Sequence, residues 1–151
     1  MRYCLRTVTW RFHKTHEPLP ELKGRAFVCL QSPEDLYNTY RSLFTNQVRE
    51  RFVVFWLDSS NKVLGLEIIS EGTLNSSPVH AREVFRGAIV STASSIVVAH
   101  NHPSNSLEAS TEDIAITKKL VDSGELLGIP VEDHIIFCNQ GYFSFREHNL
   151  M

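Results

Sequence analysis

Ser95-Ile96-Val97-Val98-Ala99-His100-Asn101-His102-Pro103-Ser104 joins a β-branched apolar run to two imidazoles and a proline stop. The run from Ser95 to Ala99 has the composition of a buried strand. Side chains along a strand repeat every second residue, so His100 and His102 leave its end on one face. Pro103, Ser104, Asn105 and Ser106 then break the extended backbone. Helical periodicity starts near Ser110, and Asp113 lies eleven residues beyond His102. A strand–loop–helix unit of this kind brings three metal-capable side chains to one point.

Zinc accepts neutral imidazole and carboxylate ligands, and a catalytic zinc keeps three protein ligands with one position open to water. Two histidines and one aspartate leave that fourth position free. Structural zinc sites are more often closed by cysteines, whereas this chain has Cys4, Cys29 and Cys138 and no CxxC pair. The ligand set therefore favours water activation, since bound zinc lowers the pKa of its water to about 7. Each part also has a simpler reading. A lone HxH pair is more often two surface or loop histidines. Ser110-x-x-Asp113 resembles a capping box, although Glu or Gln is the usual partner, and an acid in a first helical turn suits the dipole. Asp113 has two carboxylate oxygens, so capping and ligation are compatible. The conjunction of strand, pair, proline stop and acid favours the metal.

The stretch from His100 through Ser110-Thr111-Glu112-Asp113 resembles the JAMM motif, H-x-H-x7-S-x2-D, of JAB/MPN metalloproteins. A finer similarity is to the RadC-like branch. There the same HNHPS follows a GT-x5-VHxREV segment, here Gly72-Thr73 through Val79-His80-Ala81-Arg82-Glu83-Val84, and precedes a D-H-[IL]-I strand, here Asp133-His134-Ile135-Ile136. The ending Phe143-Ser144-Phe145-Arg146-Glu147-His148 is similar to short RadC-like proteins of mobile elements. The resemblance spans roughly Ser32 to Met151. It implies an α/β fold, JAB/MPN-like and related to the cytidine-deaminase scaffold, with a mixed, largely antiparallel sheet flanked by helices. A true cytidine-deaminase reading is weaker, because it needs H-x-E and P-C-x-x-C and neither is present.

The resemblance also implies zinc-dependent hydrolysis of a peptide or isopeptide bond. Zinc (one Zn2+ per chain) would be held by His100, His102 and Asp113, with Ser110 as oxyanion donor. The general base would lie two residues before the phenylalanine that opens the first central strand, which makes it Glu50 in Arg49-Glu50-Arg51-Phe52. By its own neighbours Glu50 reads as a solvated charge. Glu67 and Glu71 are its competitors, Glu67 being an unusual acid in an apolar strand. One departure from the family is Asn105, where a glycine usually follows HNHPS; asparagine tolerates left-handed backbone, so the turn can survive.

At 151 residues, with 42% apolar and 21% charged residues, the chain has the size and composition of one globular domain. We divide it into an N-terminal strand and loop extension over 1–31 and a RadC-like JAB/MPN domain over 32–151. No run approaches the ~20 apolar residues of a membrane span, and no signal-peptide segment opens the chain. Three scattered cysteines suit a reducing cytoplasm, as small core filler. Net charge is −2, which gives no general support to nucleic-acid binding. The first third is more basic, with Arg2, Arg6, Arg11, Lys14, Lys23 and Arg25.

Along the chain, Tyr3 to Phe12 alternates as a strand and His13 to Gly24 reads as a loop; His13 and His16 are weak candidates for a second metal site. Ser32-Pro33-Glu34-Asp35 signals a helix start, with an apolar stripe at Leu36, Tyr40, Leu43 and Phe44. Phe52–Leu57 and Val63–Ile69 form a hairpin. Pro78 or a neighbouring serine opens a second helix with an apolar face at Val84, Phe85, Ala88 and Ile89, and His80 near its start is a cap or packing residue. A third helix ends near Gly124 to Gly128, and a strand over Val131–Cys138 leads to a last hairpin. His134 interrupts that strand as a core histidine or a support for the site rather than a ligand.

Longer RadC-like proteins carry an N-terminal helix-hairpin-helix part, which a chain of this length is expected to lack. The DNA-repair label attached to the RadC name is therefore treated as inherited naming. Two functions are expected to compete: a zinc hydrolase with a peptide or protein substrate, and a DNA-repair-associated or mobile-element accessory module that uses the fold for contacts. The complete ligand set favours the first. Substrate and oligomeric state are not legible.

Overall fold

A serine, a proline and two acids fix where the first described helix begins. The computed structural model describes residues 28–72 and 79–151. The expected strand at Tyr3–Phe12, the loop with His13 and His16, Cys4, the basic residues of the first third, Thr73 and Pro78 lie outside these residues, as does nearly all of the 1–31 extension. Helix α1 covers Pro33–Tyr40. The Ser32 side chain accepts from Asp35 N while the Asp35 carboxylate accepts from Ser32 N, which satisfies two amides that the first turn cannot. A 3₁₀ turn over Arg41–Leu43 tightens the end, and Leu36, Tyr40, Leu43 and Phe44 are all buried.

Five strands form one sheet in the order β2-β1-β3-β4-β5, made of β1 Glu50–Leu57, β2 Val63–Gly72, β3 Ser95–Asn101, β4 Val131–Cys138 and β5 Gly141–Ser144. β1 runs antiparallel to β2 and β3, β4 runs antiparallel to β5, and β3 and β4 are parallel. The parallel pair is joined by helix α3, Thr111–Leu127, because parallel neighbours need a crossover. This is the mixed, mostly antiparallel α/β arrangement expected. Every residue of β3 is buried, as its unbroken apolar run requires of a strand covered on both faces.

Strand alternation then sorts the side chains. Val53, Phe55, Val97, Ala99, Ile135 and Phe137 pack beneath α1. Phe52, Val54, Ile96 and Val98 pack on the other face with Leu120 of α3 and with Val84, Phe85 and Ala88 of helix α2, Ala81–Val90. His100 is even-numbered with Ile96 and Val98, so it projects toward α3. Gly124 lets the end of α3 pack against the turn that leads into β4, since a Cβ there would stand 2.6 Å from the Ile129 carbonyl oxygen. Gly128 ends α3 in the left-handed region, with Ile129 N bonded to Gly124 O in a Schellman arrangement.

Some expectations change. β1 and β2 are longer than expected, and Glu50 is the first residue of β1 rather than part of a preceding charge run. His80, not Pro78 or a serine, takes the N-cap position of α2; its carbonyl accepts the first helical amides and its side chain makes no cap bond. Ile89 is 54% exposed, because it falls on the outer side of α2. Cys138 is buried, but Cys29 is exposed beside the β1–β2 turn and is not core filler. No helix among the described residues is long and apolar enough to cross a membrane.

Candidate metal centre

β3 carries His100 inside the sheet, and the loop that follows keeps His102 in place. His102 N bonds to Phe137 O of β4 at 3.3 Å. The chain then turns at Asn105, whose φ of 57° is the left-handed conformation anticipated for it. The His102 ring is set by Nδ1, which donates to Ser106 O at 2.9 Å. A carbonyl has no proton, so the donor is the imidazole, and a neutral His102 keeps its lone pair on Nε2.

Asp113 arrives from the other side at the third position of α3. Ser110 is the N-cap, and the reciprocal capping box is complete. Asp113 Oδ2 accepts from Ser110 N at 2.8 Å and from Ser110 Oγ at 2.6 Å. Ser110 Oγ in turn accepts from Asp113 N. One carboxylate oxygen thus caps the helix. The other, Oδ1, is fully buried without a hydrogen-bond partner.

The carboxylate faces two imidazoles, with its free oxygen toward His100. His100 Nε2 is 3.2 Å from Asp113 Oδ1, His102 Nε2 is 3.3 Å from Asp113 Oδ2, and the two Nε2 atoms are 2.9 Å apart. Tetrahedral zinc with ~2.0–2.1 Å bonds sets its donors about 3.3 Å apart. Two ring nitrogens and a carboxylate oxygen, all within 4.8 Å of one another, fit a divalent cation, whose charge would satisfy the buried Oδ1. His100 and Asp113 are fully buried while the His102 side chain is 10% exposed, so the site opens on the His102 side. A groove of about 450 Å³ begins there, bounded by Arg41, Asn46, Pro103, Asn105 and Cys138.

Protons compete for this site in a definite direction. Burial alone would raise the Asp113 carboxyl, but the adjoining His100 and His102 rings and the Ser110 hydroxyl hold it far below the usual carboxylate range. The hydrogen bond to Asp113 raises His102 above the ordinary 6.5, against the opposing effect of burial, with the Ser106 carbonyl and the Glu50 charge adding to the rise. The proton on His102 must leave before Nε2 can bind a cation. Zinc affinity is therefore expected to fall as pH drops, starting above pH 6.5 and approaching about tenfold per pH unit for the one displaced proton. Zinc titrations in a competing chelator across that range measure the slope; a flat profile would remove His102 from the ligand set.

Glu50 begins β1, two residues before Phe52, which pairs with His100. Continuing that register sets Glu50 opposite His102, and Arg51 N bonds to Asn101 Oδ1 at 2.8 Å between them. The rival acids are engaged elsewhere: Glu67 pairs with Arg86 and Glu71 with Arg51. His134 stands behind His100, with Nε2 2.8 Å from His100 Nδ1, so its ring is turned from the three donors. Thr117, which bonds to His134, carried no sequence signal.

Fold and donor set together make a His-His-Asp cluster that could hold a metal ion. The family model described as RadC-like JAB domain matches residues 30–150, and the chain belongs to that family. It is 48% identical over 120 residues to a UPF0758 protein of Staphylococcus haemolyticus, covering 80% of this chain and 53% of the relative. It is 45% identical over 122 residues to a UPF0758 protein of Rubrobacter xylanophilus and 40% over 122 residues to one of Methanosarcina mazei, each time covering 81% of this chain and 53% of the relative. The chain thus spans about half the length of these curated relatives.

Proposed function

We propose that this protein is a zinc-dependent hydrolase of peptide or isopeptide bonds. The observation that carries the reading is Asp113 Oδ1, a buried carboxylate oxygen without a hydrogen-bond donor, 3.2 Å from His100 Nε2 on a carboxylate whose other oxygen lies 3.3 Å from His102 Nε2. Closure by two histidines and one aspartate, without cysteine, favours catalysis over a structural clamp. His100, His102 and Asp113 would hold the zinc, which supplies Lewis acidity to water and to a substrate carbonyl. Glu50 takes a proton from the attacking water and returns it to the leaving amine. Ser110, whose hydroxyl donates to Asp113 Oδ2 in this structure, turns to the developing oxyanion. The groove beside His102 would receive the substrate chain.

Elemental analysis should find one zinc per chain. Cleavage of a mixed peptide pool should stop on chelation and return with zinc. Metal content far below stoichiometric after zinc loading, in folded protein, would end this reading.

A further inference from the structure

His100 leans on another histidine rather than on the carboxylate or backbone carbonyl that usually supports a metal-bound imidazole. From that contact a chain of short hydrogen bonds runs back to Asp113. His100 Nδ1 is 2.8 Å from His134 Nε2, His134 Nδ1 is 2.6 Å from Thr117 Oγ1, and Thr117 Oγ1 is 2.6 Å from the Asp113 carbonyl oxygen. His100, Asp113, Thr117 and His134 are all at 0% exposure.

Proton counting gives the chain one direction. The Asp113 carbonyl carries no proton, so the hydroxyl of Thr117 donates to it. Thr117 has a single proton, so its oxygen must accept from His134 Nδ1. A neutral imidazole has one N–H, which leaves His134 Nε2 as an acceptor. His100 must then carry its proton on Nδ1, and the lone pair of His100 falls on Nε2, toward His102 and Asp113. Ring packing holds the middle of the chain: Phe145 stacks on His134 at 4.6 Å and Phe52 meets it edge-on.

We propose that Thr117 and His134 are positioning residues that commit His100 to the metal-binding tautomer, so that one residue, Asp113, both supplies a ligand and sets the proton of another. This rests on the metal reading above. Thr117→Val keeps shape and leaves the Asp113 carbonyl its helical amide, but removes the hydroxyl. His134 can then move its proton to Nε2 and donate to His100 Nδ1. That forces the His100 proton onto Nε2, where it blocks a cation. Thr117→Ser keeps the hydroxyl and the direction.

The test uses the full chain in two measurements. Nitrogen-15 imidazole shifts of the metal-free protein at about pH 8.5, well above the ordinary imidazole pKa, report the tautomer. Competitive zinc titration reports affinity. The wild type and Thr117→Ser should show His100 protonated on Nδ1. Thr117→Val should shift that proton to Nε2 and bind zinc about 10–100-fold more weakly. A wild-type His100 protonated on Nε2 overturns the proposal. So does a shifted tautomer in Thr117→Val with unchanged zinc affinity, which would leave the metal reading intact. Expected tautomers in a wild type that takes up no zinc would instead overturn the metal reading, and the positioning role with it.

Discussion

Asp113→Asn is expected to abolish the thermal stabilisation that zinc gives the wild type. Binding to the folded state alone stabilises by RT ln(1 + [L]/Kd), about 4 kcal/mol at a thousandfold excess over Kd. For a chain of this length that is on the order of 10 °C in Tm, at 2–4 °C per kcal/mol. Asparagine is chosen over alanine because the two tasks of this side chain separate by atom. Its carboxamide oxygen can still accept from Ser110 N, the bond that Asp113 Oδ2 makes now, so the start of α3 survives. Its amide nitrogen would take the place of Oδ1 and present protons to the Nε2 lone pair of His100, where the wild type presents a bare oxygen. The charge is lost and the pocket is filled by hydrogen bonds that exclude a cation. The variant should melt at one temperature with zinc or with chelator. A zinc-induced rise equal to that of the wild type would show that Asp113 is only a cap.

Local chemistry made much of this site legible. The capping boxes at Ser32–Asp35 and Ser110–Asp113 each need only four consecutive residues, and both formed. The β-branched run ending in His100-Asn101-His102 announced a buried strand because burial on both faces demands an unbroken apolar stretch. What stayed hidden depends on pairing across the sheet. His134 is 34 residues from His100, and they meet because β3 and β4 run parallel with Val98 opposite His134. The polar interruption beside Asp133 marked His134 as unusual without giving its partner. Thr117 was silent for the same reason, since nothing in a helical threonine says which ring it will touch. Glu67 looked anomalous in an apolar strand until α2 delivered Arg86 to it. Ile89 fits the apolar period of α2 but falls beyond the arc that the sheet covers.

The proposed general base gives the second large effect. Glu50→Gln should lower kcat about 10²–10⁴-fold while leaving one zinc per chain. Glutamine matches glutamate in shape but cannot take a proton from water, so the loss isolates proton transfer from packing. Retention of zinc follows from geometry, because the three donors come from β3, the loop after it and α3, none of which depends on the Glu50 carboxylate. The case for Glu50 over Glu67 is positional. Glu50 lies two residues before the partner of His100, whereas Glu67 pairs with Val54, four residues further along β1 and so about 13 Å away at 3.3 Å per residue. Glu67 is also held by Arg86 on the α2 side. The Glu50 charge already reaches His102, where it adds to the rise in the ring's pKa behind the larger effect of Asp113. Neutralising Glu50 should therefore also ease proton loss from His102 and shift the pH dependence of zinc binding slightly downward, opposite in sign to its effect on turnover. Glu67→Gln, by contrast, should keep wild-type kcat. Full turnover in zinc-loaded Glu50→Gln, or its loss in Glu67→Gln, would transfer the proton-accepting role away from the first residue of β1.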